Sequence, residues 1–333
     1  MEFPGIEHSA ALLGSGSEVI GCDTAMSTDH DWGPRCLLFL DEEEHARVGS
    51  EIGRMLRHRL PPRFRGYPTA IEGPGAAAPE PEGVNHRVEV LTLRGFIVRT
   101  LHFELDHEIE PADWLSFEPH RLLTITAGRV FHDAIGLQEV RDRFAYYPHD
   151  VWLYLLAAGW TRIGQEEHLM GRAGFVGDAL GSALIGFRLV RDVMRLCFLM
   201  EKRYPPYPKW YGTLFGRLQC AGDLLPHLQA AGHAKHWQER EEHLVAAYEY
   251  LATMHNALGI TDPLPTAAEP FFDRPFRVIG GGRFADALRA RIADPRVQRI
   301  AERRLIGSID QFSDSTDLLA HAPWRPALRR LYE

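Results

Sequence analysis

Cysteine is scarce in this chain, and the few present are unpaired in spacing. Cys22, Cys36, Cys197 and Cys220 are the four in 333 residues. None belongs to a Cys-x-x-Cys pair, which excludes a zinc ribbon and the disulfide framework of a small secreted domain. Reduced thiols in a cytoplasmic protein are the expectation. Long apolar runs are missing as well. The most apolar stretch, residues 189–200, is broken by Arg191, Asp192 and Arg195, so no membrane span is expected. Residues 1–5 show neither a basic patch nor an apolar segment, and no secretory leader is expected there. A basic excess is also absent. Lys and Arg number 37 against 45 Asp and Glu, a net charge of −8, which argues against a nucleic-acid partner. The 17 histidines include no His-Glu-x-x-His pattern, so that metalloprotease site is excluded.

What is present is an ordinary globular composition, 45% hydrophobic and 25% charged, at a length that favours two domains. Residues 10–13 and 36–40 are short apolar runs that read as buried strands. Residues 87–93 alternate and are β-branched, a third strand. Residues 41–60 begin with four acids and end in Arg and His, the charge order of a helix dipole. Residues 61–85, rich in Pro, Gly and Ala, read as a long loop. Residues 122–131 read as a hairpin turning at Ala127-Gly128. Helical periods follow from residue 150. Residues 176–203 form a long helix with Leu180, Leu184, Phe187, Met194 and Phe198 near one face. Further helices are expected over 236–258 and, broken near Pro295, over 284–306. The fold class is therefore α+β: a mixed sheet with helices over residues 1–140, then an all-helical domain over 141–333.

The chemistry concentrates in residues 14–31. A Gly-Ser turn, Gly14-Ser15-Gly16-Ser17, precedes Asp29 and Asp31. On a strand, an i, i+2 pair points to one face. Two carboxylates aimed at one spot repel unless a cation sits between them. A Gly-Ser turn offers backbone N–H groups to a phosphate. Together these features point to phosphoryl or nucleotidyl transfer.

The pattern Gly16-Ser17, eleven residues, Asp29-His30-Asp31 resembles the nucleotidyltransferase signature of the DNA polymerase β superfamily, with one extra residue, Thr28, before the first acid. Glu89, in Val88-Glu89-Val90, fits the slot of that superfamily's third carboxylate. The wider wording also resembles a bacterial branch that carries a nucleotidyltransferase-like domain of unknown function, as does Gly307-Ser308-Ile309-Asp310-Gln311-Phe312. The resemblance implies a polymerase-β-like fold for residues 1–140. It implies Asp29, Asp31 and Glu89 as catalytic Mg²⁺ ligands, with Gly16 and Ser17 on the phosphates of ATP or another NTP. The implied reaction moves a nucleoside monophosphate to a small-molecule hydroxyl. AMP transfer onto a protein side chain, or nucleotide binding without catalysis, are the alternatives.

Several further residues bear on that reaction. Gly33-Pro34 forces a bend after the acids, and Arg35 offers a bidentate fork to a triphosphate. Trp32 either stacks on a base or packs. Arg188, Asp192 and Arg195 share a helical face, as an ion-pair network or as a face closing on the nucleotide with Asp192 as base. Asp178 is a second candidate base. Tyr204-Pro-Pro-Tyr207-Pro-Lys209-Trp210 reads as a rigid aromatic loop with Lys209 as a candidate nucleotide contact, or as a packing plug. His132-Asp133 faintly suggests a His-Asp phosphohydrolase but lacks the further ligands. Gly280-Gly281-Gly282-Arg283 is either an anion loop or a turn.

Overall fold

The computed structural model describes residues 3–28, 33–70 and 84–333. The chain divides into two compact units: residues 1–108 with 120–145, and residues 109–119 with 146–333. The anticipated division at residue 140 misses one crossing, since 109–119 joins the second unit. The fold is α+β, with the main sheet in the first unit and helices dominating the second.

In the first unit β1 (Ser9–Leu12), β2 (Arg35–Leu40), β3 (Arg63–Phe64), β4 (Tyr67–Pro68), β5 (Arg87–Thr92) and β6 (Arg129–Asp133) alternate with α1 (Glu42–Arg59), α2 (Leu93–Leu101), α4 (Pro119–Thr126) and α5 (Leu137–Asp142), while α3 (Pro111–Ser116) lies in the second unit. The main sheet runs β5-β2-β1-β6. β1 is antiparallel to both neighbours, and β2 and β5 are parallel with Arg35↔Arg87 and Leu37↔Glu89 in register. Helix α1 follows its charge order. Asp41 caps it, accepting the Glu44 N–H at 2.7 Å, with acids in its first turn and Arg57, His58 and Arg59 in its last. Such charges oppose the helix dipole at both ends. Its buried residues Val48 and Ile52 pack with Leu40, and Leu38 and Val90 join from the sheet. Burial of side chains of this size contributes roughly 1.5–3 kcal/mol each.

Residues 122–131 correct the hairpin expectation. They are the end of α4, a turn at Gly128 and the start of β6. Gly128 is required there: its φ is +74°, and a Cβ would collide with the Leu12 carbonyl oxygen. The β-branched residues Thr124, Ile125 and Thr126 imitate a strand, but Thr124 and Thr126 return their hydroxyls to carbonyls one turn back, which helices tolerate.

The second unit is built on α6 (His149–Phe175) and α7 (Ala179–Met200), followed by α8 (Tyr211–Phe215), α9 (Ala221–His233), α10 (Trp237–Ala257), the small pair β7 (Glu269–Pro270) and β8 (Arg277–Val278), α11 (Gly281–Arg289), α12 (Pro295–Glu302), α13 (Ile309–Phe312), α14 (Thr316–Ala320) and α15 (Arg325–Arg329). Every residue from 151 to 160 is buried, so α6 is hydrophobic all round along that stretch, as a central helix must be. Helix α7 overturns the first half of the expected stripe, while Phe198 is buried as expected. Leu180, Leu184 and Phe187 are exposed, whereas Ser182, Gly186, Leu189 and Val193 face inward. Small residues mark the buried side because α10 comes close: a Cβ on Gly186 would strike the Arg240 side chain. No helix among the described residues is long and apolar enough to cross a membrane.

Candidate functional site

The Gly-Ser segment follows β1 directly. Gly14 N–H donates to the Thr124 carbonyl at 3.0 Å, and Gly128 N–H to the Val19 carbonyl at 3.0 Å, so the α4–β6 turn supports the loop. Ser17 opens a turn rather than a helix, closed by Cys22 N–H on the Ser17 carbonyl at 2.7 Å.

Arg35, the first residue of β2, reaches back to this loop. Its Nε donates to Glu18 Oε1 and a terminal nitrogen donates to the Ser15 carbonyl. The anticipated phosphate ligand is thus a brace for the loop. Gly16 makes the brace possible. Its φ is +132°, and a Cβ there would lie 2.6 Å from a Glu18 carboxylate oxygen and overlap the Arg35 guanidinium. A side chain at position 16 must expel one or both.

Sequence reasoning missed Arg87. It is the register partner of Arg35 on the adjacent parallel strand. Neighbouring strands lie ~4.8 Å apart, and register partners leave the sheet on the same face. The Nε and one terminal nitrogen of Arg87 are buried and have no hydrogen-bond partner among the described residues. A buried, unpartnered guanidinium is costly unless an anion meets it. In the sequence a charged residue opening a strand reads as solvated; only the register places it here.

Glu89 lies two residues further along β5 and is exposed. Both of its oxygens face Arg99 of α2, one terminal nitrogen on Oε1 and the other 3.2 Å from Oε2. As placed, both of its oxygens are engaged by the Arg99 cation in an exposed ion pair. No group of three or more His, Cys, Asp or Glu suited to a metal ion occurs among the described residues. Asp29 and Asp31, with His30 and Trp32, lie outside the described residues. Burial raises the Cys36 thiol pKa against the lowering by a backbone hydrogen bond at Ala11. Asp133 caps α5, accepting the N–H groups of Leu137 and Gln138 at 2.9 and 2.8 Å and the Ser9 hydroxyl at 2.7 Å. Partial burial raises its pKa, but these hydrogen bonds outweigh that and bring it below the ordinary value.

The other candidates belong to the second unit. Lys209 Nζ lies 4.3 Å from the Trp210 ring centroid, and Tyr204 is buried against Tyr146 and Tyr147. Residues 204–206 of that loop are buried as packing, whereas Lys209 is exposed. Asp178 caps α7 through the Gly181 N–H at 2.7 Å. Arg188 pairs with Glu166 at 2.7 Å. Asp192 and Arg195 form the buried network instead: Asp192 meets Arg162 at 3.3 Å and Arg195 at 3.9 Å, and Arg195 meets Asp310 at 2.9 Å. Burial disfavours the Arg195 charge, yet Asp310, Tyr211 and Asp192 more than offset it and hold the guanidinium protonated. The phrase Gly307–Phe312 is therefore a latch for α13. The Gly280–Gly282 loop already holds an anion, the carboxylate of Glu167, which accepts the N–H groups of Ile279, Gly280 and Gly281. Burial pushes the Glu167 pKa up, and those three donors pull against it.

Residues 114–211 match a protein family described as a domain of unknown function, DUF4037. No curated protein is significantly similar to the chain. A solved structure, the nucleotidyltransferase-like protein from Exiguobacterium sibiricum, aligns with 78% of this chain and 72% of its own, at a TM-score of 0.36 and 11% identity. A likeness that loose fixes no chemistry. The resemblance to a domain of unknown function holds for residues 114–211, a segment that contains none of Gly16, Ser17, Asp29, Asp31 and Glu89.

Proposed function

We propose that the first unit binds a nucleoside triphosphate and transfers its nucleoside monophosphate, with AMP from ATP as the default, to the hydroxyl of a small molecule. The observation that carries this reading is the half-buried Arg87, two of whose guanidinium nitrogens are buried with no partner among the described residues, in register with Arg35, which braces the Gly-Ser loop. A guanidinium fork in that position suits a phosphate group, which accepts parallel charge-assisted hydrogen bonds. Arg35 and Glu18 act before any ligand arrives, holding the loop so that its N–H groups are already oriented. Pre-orientation lowers the ordering cost of binding.

Asp29 and Asp31 are the proposed Mg²⁺ ligands. When bound, the ion supplies charge neutralisation at the phosphates during in-line attack. Glu89 joins them only by releasing Arg99. That pairing supports a second reading, nucleotide binding without transfer. Calorimetric titration of ATP into the protein, with and without Mg²⁺, separates the two. Transfer requires binding that Mg²⁺ strengthens and that Arg87→Met weakens about tenfold, the effect of losing one charge-assisted contact. Unchanged affinity in Arg87→Met would remove the basis for the site.

A further inference from the structure

The second unit contains a cavity of about 420 Å³ whose charge is almost all of one sign. Arg162 of α6, Arg289 of α11, and Arg303 and Arg304 after α12 line it, against the single carboxylate of Asp286. Arg289 stands 3.9 Å from Asp286, and Arg303 and Arg304 make no ion pair among the described residues. A neighbouring cavity shares Arg303 but differs in kind. There Arg296 pairs with Asp294, and Arg329 with Asp113, Glu110 and Glu333. In the first cavity Arg162 and Arg289 each have an acid, whereas Arg303 and Arg304 have none among the described residues.

One wall is anchored. Arg162 uses Nε on the buried Asp192 at 3.3 Å, which anchors the stem of that side chain. Asp192 continues through Arg195 to Asp310, and Asp310 lies two residues before Phe312, the aromatic member of the lining. Like-charged groups held together in a cleft repel one another and concentrate field lines, so the protein alone leaves them unbalanced. An anion with several oxygens resolves this, and phosphate matches the planar fork better than a point charge would. Leu305, Ile306 and Phe312 add an apolar side along which a carbon skeleton can lie.

We infer that this cavity binds a small phosphorylated molecule, with its phosphate groups toward Arg289, Arg303 and Arg304. The assignment is independent of the nucleotide site proposed for the first unit. Arg303 and Arg304 are exposed, so their replacement leaves the core intact, and a thermal unfolding scan confirms this for each variant. The test is calorimetric titration of inorganic pyrophosphate, in the absence of divalent ions, into the Arg87→Met protein and into Arg87→Met carrying Arg303→Ala and Arg304→Ala. The first should bind pyrophosphate, more weakly as sodium chloride rises. The second should bind it at least about tenfold more weakly. Equal binding by the two proteins, or no binding by the first, overturns the assignment. Citrate binding as tightly as pyrophosphate overturns the phosphate preference. Loss of ATP binding on Arg87→Met alone bears on the first unit and leaves this result unaffected.

Discussion

Arg35 and Arg87 are register partners across the parallel β2–β5 pair, yet among the described residues only Arg35 has an acid to meet it. Glu18 and the Ser15 carbonyl engage Arg35, while buried nitrogens of Arg87 have no partner among the described residues. Two like charges on adjacent strands are destabilising by themselves. The arrangement makes sense when an anion completes it.

Arg87→Met tests that imbalance from the side of stability. Replacing an unpartnered buried charge with an apolar chain of similar length should stabilise the ligand-free protein by about 1 kcal/mol. The urea midpoint should rise at unchanged slope. A fall in the midpoint would mean that Arg87 is already satisfied.

Gly16→Ala tests the brace. The methyl must displace Arg35 or Glu18 and must adopt a backbone conformation that favours glycine. ATP affinity should drop about tenfold or more, while the unfolding free energy falls by no more than ~1–2 kcal/mol, because the loop lies outside the packed core. Retained ATP affinity in a folded Gly16→Ala protein would show that the loop plays no part in binding.

The buried network of the second unit should respond asymmetrically. Arg195→Met strands the buried Asp310 and leaves the buried Asp192 with Arg162 as its remaining cation, at a cost of about 3–5 kcal/mol. Adding Asp310→Leu should recover much of that loss, since it removes one stranded carboxylate. Urea unfolding of the single and double variants measures both values. A double variant no more stable than Arg195→Met would contradict the pairing.

Stability should also fall on mild acidification. His255 is fully buried, with Nε2 2.9 Å from Thr261 Oγ1 and no hydrogen-bond partner at Nδ1 among the described residues. Burial lowers its pKa from 6.5 to about 4. Between those values the unfolded chain takes up a proton that the folded protein refuses. The contribution is therefore complete above pH 6.5 and lost progressively as pH falls toward 4, by up to ~3 kcal/mol. His120 acts in the same direction, lowered to about 4 by burial and then by Arg121. The unfolding midpoint of His255→Gln should vary less between pH 7 and pH 5 than that of the wild type. An equal variation would place the titration elsewhere.

Legibility in the sequence followed the strength of local signals. Helix α1 was readable because Asp41, the acids after it and the terminal Arg and His all agree. β2 and β5 were readable from apolar and β-branched runs. The α4–β6 turn was not, because β-branched residues filled a short helix whose position is fixed by tertiary packing. Helix α7 misled for a different reason: its buried face carries Ser182 and Gly186, and the residues that look like core, Leu180, Leu184 and Phe187, remain exposed. At the candidate site the Gly-Ser segment was legible as a turn, but the contacts of Arg35 with Glu18 and of Glu89 with Arg99 were not. Arg87 carried no motif at all. Strand register, which no spacing within one segment reveals, gave it a role.

The most direct measurement is transfer itself. Purified protein is incubated with ATP labelled at the α-phosphate, Mg²⁺ and a small-molecule extract, and the products are followed by mass. The labelled monophosphate should appear on a small molecule with the wild type and vanish with Asp29→Asn or Asp31→Asn, while both variants unfold at or above the wild-type temperature. Undiminished transfer in both variants would contradict the account.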